Sequence, residues 1–291
     1  MGSVLHIVPG IDDVANGMAV VARLLAKAQG DAEVVDLNHE IHKIHEKEVE
    51  EVWVHGMWLP KEWAACRAAV RAGKRLVRMT HGSLSPIYLE KQGKWKKQLV
   101  SPIERHYFAK CDRIAVTGSW EEEWCRKWGL PGPFEIIDLK QFFPIPSEIL
   151  GQTLNLTLDA WQTDPCRPLH ILYFGRRHPL KGVEYLESAV QGLKNADLRV
   201  VSDASGDDKE KVWDWCDVLV LPTLSENFGL VIAEALERGK CVVTTDGAPA
   251  WGDGNDYGGR LVYVKGYRDG TDEERVNLLK DAIRQLTTNN L

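Results

Sequence analysis

Residues 217–245 read DVLVLPTLSENFGLVIAEALERGKCVVTT. The opening DVLVLPT is a short apolar run closed by a proline, the signature of a buried strand. From Gly229 to Arg238 the apolar residues return at helical spacing, and Gly239 stops the helix. CVVTT at 241–245 is a second strand. Two strands joined through a helix form a βαβ unit with a parallel pair, and such units place their functional groups at the carboxyl ends of the strands. Ser225, Glu226 and Asn227 therefore stand after a strand and before a helix. Polar residues there can cap the helix, and the backbone N–H groups of Phe228, Gly229 and Leu230 make a ready anion site.

The same unit recurs along the chain. VLHIVPG at 4–10 is a strand ending in Pro-Gly, and after Asn16-Gly17 the segment MAVVARLLAKA places Val20, Val21, Leu24, Leu25 and Ala28 on one helical face. EVVDL, EVWVHG, RLVRMTHG and RIAVTGS continue the first series. LHILYFG, a helix near Val183–Leu193, LRVVS, DVLVLPT and CVVTT form a second. Between them lie Pro144, Pro146, Pro165 and Pro168, which read as a linker. The fold expected is α/β with two Rossmann-like parallel-sheet lobes, residues 1–145 and 146–291, facing across a cleft.

Composition narrows the function. The 291 residues carry a net charge of -6, and the acidic excess lies after residue 145. Nucleic-acid binders usually concentrate a basic excess on a whole domain, so that class is disfavoured. The six cysteines stand singly, with no CxxC pair for zinc, and read as reduced thiols. The opening lacks a basic start, and no stretch has the length of a membrane span. A cytoplasmic protein is expected. No GxGxxG follows any strand, which disfavours a dinucleotide-dependent dehydrogenase.

Glu226 and Glu234 are separated by on the order of 12 Å at helical rise. That span can match the distance from a ribose to the sugar of one extended donor. Carboxylates suit both ends, because each accepts paired hydroxyl hydrogen bonds. Upstream, GRRHPLKG places Arg176 and Lys181 beyond a strand end, where two cations can neutralise a diphosphate. Taken singly, these features also fit an acidic cap and a solvated basic loop. Together, SENFGLVIAEAL, the downstream TTDGAPAWG and the GR-x4-KG loop resemble glycosyltransferase family 4, with its E-x7-E signature. The resemblance implies a GT-B fold and retaining, metal-independent transfer of a hexose or heptose from a nucleoside-diphosphate sugar to a saccharide. It assigns Arg176 and Lys181 to the donor phosphates, Glu226 to the donor sugar and Glu234 to the ribose hydroxyls. No cofactor and no metal ligand is expected.

In the first series, MTHGSLSP puts His81 at a strand end. HGSLSPIYLEKQGKWKKQL and ERHYFAKCDRIAVTGSWEEE look like family members that build cell-envelope polysaccharides and lipopolysaccharide, in which this His contacts the donor sugar. Gly17 stands where the family carries a Gly-Gly pair near donor phosphate and acceptor, and it reads equally as a helix-start glycine. From Lys91 to Arg113, cations outnumber acids, with Trp95, Tyr107 and Phe108 interleaved. This is a solvated helical face or a patch for anionic lipid headgroups, the latter suiting a lipid-linked glycan acceptor.

Three departures from the family pattern stand out. EIIDLKQFFP replaces the Pro-Asn-Gly before the linker, one short helix stands between LRVVS and DVLVLPT where the family has a further strand and helix, and no long tail follows EERVNLLKDAIRQL. These departures leave a non-catalytic sugar-nucleotide-binding subunit as the alternative.

Overall fold

The computed structural model describes residues 3–12, 16–91, 94–147, 167–193, 195–255 and 257–288, and gives the backbone alone for residues 91, 94–96 and 286–288. Cys166, Pro165 and most of the expected linker lie outside the described residues. The chain divides into two compact units, Met1–Leu139 and Lys140–Leu291.

The first unit holds β1 (Ser3–Val8), α1 (Gly17–Gln29), β2 (Ala32–Asp36), β3 (Val49–His55), α2 (Pro60–Arg71), β4 (Arg75–Met79), α3 (Pro86–Lys91), α4 (Lys94–Phe108), β5 (Arg113–Val116), α5 (Ser119–Lys127) and β6 (Phe134–Ile136). Its sheet is parallel throughout, in the order β2-β1-β3-β4-β5-β6. Alternation along β1 sends Leu5 and Ile7 to one face, where they pack with Ala65, Cys66 and Ala69 of α2. His6 and Val8 point to the other face, and Val8 meets Ala19 and Ala22 of α1.

The second unit holds β7 (Leu169–Phe174), α6 (Val183–Gln191), β8 (Ala196–Val201), α7 (Gly206–Trp215), β9 (Val218–Leu221), α8 (Leu230–Glu237), β10 (Cys241–Thr245), β11 (Leu261–Val264) and α9 (Asp272–Thr288). Its parallel order is β11-β10-β9-β7-β8. Every residue of β9 and β10 is buried, as expected for parallel strands covered by helices on both faces.

Each sheet has one point where the strand order reverses, between β1 and β3 and between β7 and β9. In open α/β sheets the ligand crevice lies beyond the carboxyl ends of the strands at that point. The edge strand β6 escapes a pattern reading because three residues are too few to show a period.

Candidate active site

At the reversal in the second unit, the loop after β7 meets the loop after β9. Leu180 O accepts hydrogen bonds from Leu224 N at 2.8 Å and Thr223 Oγ1 at 3.0 Å. Gly182 has a φ of 63°, and a Cβ there would lie 2.2 Å from Pro222 O, so only glycine lets the two loops approach. Gly247 plays the same part after β10, where a Cβ would meet Thr223 O at 1.9 Å.

This frame joins two sequence motifs that stand 45 residues apart. Lys181 Nζ forms an ion pair with Glu226 Oε2, both side chains being about one-quarter exposed. Glu226 is held from behind, since its N–H donates to Gly247 O at 2.8 Å and its Oε1 accepts from Asn227 N at 3.1 Å. The side chain of Arg176 is exposed and has no protein partner among the described residues. Its carbonyl accepts from the Tyr173 hydroxyl at 2.9 Å. Burial, reinforced by the charge of Glu226, pushes the Tyr173 phenol far above its ordinary pKa, so it remains a donor that pins the loop.

The start of α8 differs from the sequence expectation. Its N-cap is Gly229, with φ 77° and no side-chain cap, so Ser225, Glu226 and Asn227 do not close the helix. The N–H groups of Phe228, Gly229 and Leu230 keep no partner among the described residues, which leaves a row of donors beside Lys181 and Glu226. The Phe228 ring turns into an aromatic cluster with Phe143 and Trp251, so its contribution to the site is its backbone. Glu234, one-quarter exposed on α8, pairs with Lys209 of α7 at 2.7 Å. Lys209 also lies 5.6 Å from the centre of the Phe174 ring.

In the first unit, His81 follows β4 with a φ of 49°, an uncommon left-handed conformation for a non-glycine residue. The surrounding loop is fastened by Glu121, which is fully buried. Its Oε1 accepts from Thr80 Oγ1 and Gly82 N, and its Oε2 from Thr117 N at 2.7 Å and Thr117 Oγ1 at 2.8 Å. Glu121→Ala removes the acceptor of four hydrogen bonds, three of them fully buried, and we expect it to lower unfolding free energy by at least about 3 kcal/mol, the low end for two charge-assisted hydrogen bonds. Urea unfolding checks this, and a loss below about 1 kcal/mol would mean the carboxylate does not hold the loop.

Gly17 is the first residue of α1 and is exposed. The organising residue there is Asn16, whose Oδ1 accepts from Met18 N while its Nδ2 donates to Pro9 O and Gly10 O. In the Lys91–Arg113 stretch, Tyr107 and Phe108 are buried in the core and Arg113 is paired with Glu51 and Glu135. Lys97 Nζ lies 3.6 Å from the centre of the Tyr88 ring, and desolvation pulls its pKa down to about 8. Leu99 and Ile103 of α4 are exposed. The side chains of Lys94, Trp95 and Lys96 lie outside the described residues.

Sequence reasoning passed over Lys209 and Glu121. Glu121 had a signal, a Glu at the third position of a helix after Gly-Ser. Lys209 had none, since Lys211 two residues on has the same local surroundings.

Residues 163–288 match the family model described as Glycosyl transferases group 1. No curated protein matches the chain. Among solved structures, the sucrose-phosphate synthase from Thermosynechococcus elongatus is 14% identical with a TM-score of 0.65, over 99% of this chain and 91% of that one. HepE of Anabaena in complex with UDP is 15% identical with a TM-score of 0.59, over 98% and 90%. The lipopolysaccharide outer core galactosyltransferase WaaB, in its apo form, is 14% identical with a TM-score of 0.56, over 97% and 90%. At these identities the likeness establishes the fold, a GT-B pair of Rossmann-like parallel-sheet lobes.

Proposed function

We propose that the chain, a sugar-transferring enzyme of the GT-B fold with a glycosyl transferases group 1 domain, moves a hexose or heptose from a nucleoside-diphosphate sugar to a saccharide acceptor with retention and without a metal. The observation that carries this reading is the Lys181–Glu226 pair, set beside exposed Arg176 and the unpartnered N–H groups that open α8.

As the glycosidic bond breaks, the diphosphate gains negative charge. Arg176 and Lys181 meet that charge with cations, and Phe228, Gly229 and Leu230 meet it with oriented N–H dipoles. Glu226, held by Gly247 and Asn227, faces the donor sugar. In a retaining front-face reaction the leaving phosphate oxygen takes the acceptor proton, and the protein supplies positioning and charge. Glu234 receives the ribose hydroxyls. Lys209 occupies Oε2 and leaves Oε1 to accept. In the first unit, His81 contacts the donor sugar. The acceptor is a saccharide or lipid-linked glycan of the cell surface, a reading supported by Leu99 and Ile103 exposed on the cationic α4, which suit an anionic membrane face.

Thermal shift against a panel of nucleotide sugars identifies the donor, because a ligand that binds the folded state raises its apparent stability. With that donor, Glu234→Ala is expected to weaken binding by about 1.5–3 kcal/mol, roughly tenfold to a hundredfold in Kd, while kcat at saturation changes little. Calorimetry giving an unchanged Kd would remove Glu234 from the ribose.

A further inference from the structure

The first unit contains a chain of three imidazoles, of which the sugar-transfer reading uses only the last. Gln29 Oε1 lies 2.7 Å from His6 Nε2, His6 Nδ1 lies 2.9 Å from His55 Nε2, and His55 Nδ1 lies 2.8 Å from His81 Nε2. The rings step across β1, β3 and the end of β4 with centres 5.2 and 5.0 Å apart, and Trp53 stacks on His6 at 5.1 Å. His6 and His55 are fully buried, whereas Gln29 is exposed at the end of α1.

A neutral imidazole carries one N–H and one lone pair. Burial holds all three rings in that form. Each link needs one donor and one acceptor, so two N–H groups or two lone pairs cannot face each other across it. The chain therefore has two registers, and the group at one end selects between them. A carbonyl at His6 Nε2 requires a proton there, which makes His6 Nδ1 an acceptor and requires the proton of His55 on Nε2. The same step requires Nε2–H on His81. His81 Nδ1 is left with its lone pair, and it has no protein partner among the described residues.

We propose that Gln29, His6 and His55 are positioning residues whose hydrogen-bond register, set by the Gln29 carbonyl, makes His81 Nδ1 an acceptor that selects a sugar hydroxyl as its donor. The identity of the ligand rests on the sugar-transfer reading; the register does not. A site built this way favours a hydroxyl over a group without hydrogen at the same position, because two facing lone pairs repel.

The test needs no sugar. In protein labelled with 15N-histidine, long-range 1H–15N correlation spectra distinguish the two neutral tautomers of each ring. The parent is expected to carry its proton on Nε2 in His6, His55 and His81. Gln29→Glu offers only acceptors and should preserve this. Gln29→Lys offers only donors and should move the proton to Nδ1 in all three. Lysine is tolerated at this exposed last turn, where a cation suits the helix dipole. Diethyl pyrocarbonate attacks an unprotonated imidazole nitrogen, so peptide mapping should find His81 modified in the parent and about tenfold more slowly in Gln29→Lys, the factor of one net hydrogen bond. A parent His81 protonated on Nδ1, a reversal in Gln29→Glu, or a His81 that keeps its tautomer in Gln29→Lys overturns the proposal. If the register behaves as stated and no nucleotide sugar is turned over, the relay stands and the assignment of its ligand fails.

Discussion

Lys181→Ala and Arg176→Ala are each expected to slow single-turnover sugar transfer by roughly a hundredfold to a thousandfold, the cost of removing one preorganised donor from a developing oxyanion, about 2.7–4 kcal/mol. The geometry makes the two losses unequal in kind. Arg176 has no protein partner among the described residues, so its removal subtracts one charge from the diphosphate and disturbs little else. Lys181 is paired with Glu226, so its removal also leaves a carboxylate uncompensated next to a leaving group that is gaining the same sign of charge. Adding Glu226→Gln to Lys181→Ala should therefore cost much less than Glu226→Gln costs in the parent, a non-additivity that a double-mutant cycle reads directly. Lys181→Arg should not fully rescue. The side chain leaves a tight turn between Pro179 and Gly182, where a compact ammonium reaches Glu226 and a planar fork does not. Activity of the parent should survive a metal chelator. Complete loss on chelation, restored by a divalent ion, would show that a metal carries the charge assigned here to the two cations.

Acid should strongly destabilise the protein at a pH where most carboxylates are still ionised. Burial pulls His6 down to about 4 and His81 to about 3, and burial together with its two histidine neighbours holds His55 well below its ordinary value. In the unfolded chain the same rings titrate near 6.5. Below that pH the unfolded state binds protons that the folded state refuses, so stability falls as pH falls. Glu62 acts in the opposite sense, because burial raises its carboxyl to about 7 and the folded state takes up a proton there before the unfolded state does. Three histidines against one carboxyl leave a net difference of about two protons between pH 6.5 and 4.5, or about 2.7 kcal/mol per pH unit once the rings are titrated in the unfolded chain. Across that window the loss is about 5 kcal/mol, from a third to all of the roughly 5–15 kcal/mol a domain has in hand. Urea midpoints measured from pH 7 to 5 test this. His55→Gln should roughly halve the slope whatever it does to stability at neutral pH. A midpoint that is flat or rises on acidification would mean that the imidazoles are not held neutral.

Local pattern carried a great deal of this protein. Short apolar runs closed by Gly or Pro and followed by helical spacing mark a strand, a turn and a helix without reference to anything distant, because side-chain period is a property of the element itself. That is why the parallel α/β character of both units was legible, and why SENFGLVIAEAL and GRRHPLKG could be placed at strand ends. Tertiary structure decided what those residues touch. Lys181 meets Glu226 across 45 residues because β7 and β9 are neighbours in a sheet whose order reverses between them, and strand order is a long-range property that no local period encodes. Glu234 meets Lys209 rather than Lys211 because only one of them comes round α7 to face α8. Residues 6, 55 and 81 stand in three separate segments, and nothing in the sequence links His6 and His55 to His81. Parallel pairing of β1 with β3 and of β3 with β4 sets them in one hydrogen-bonded row, since register, not sequence distance, determines which side chains share a face.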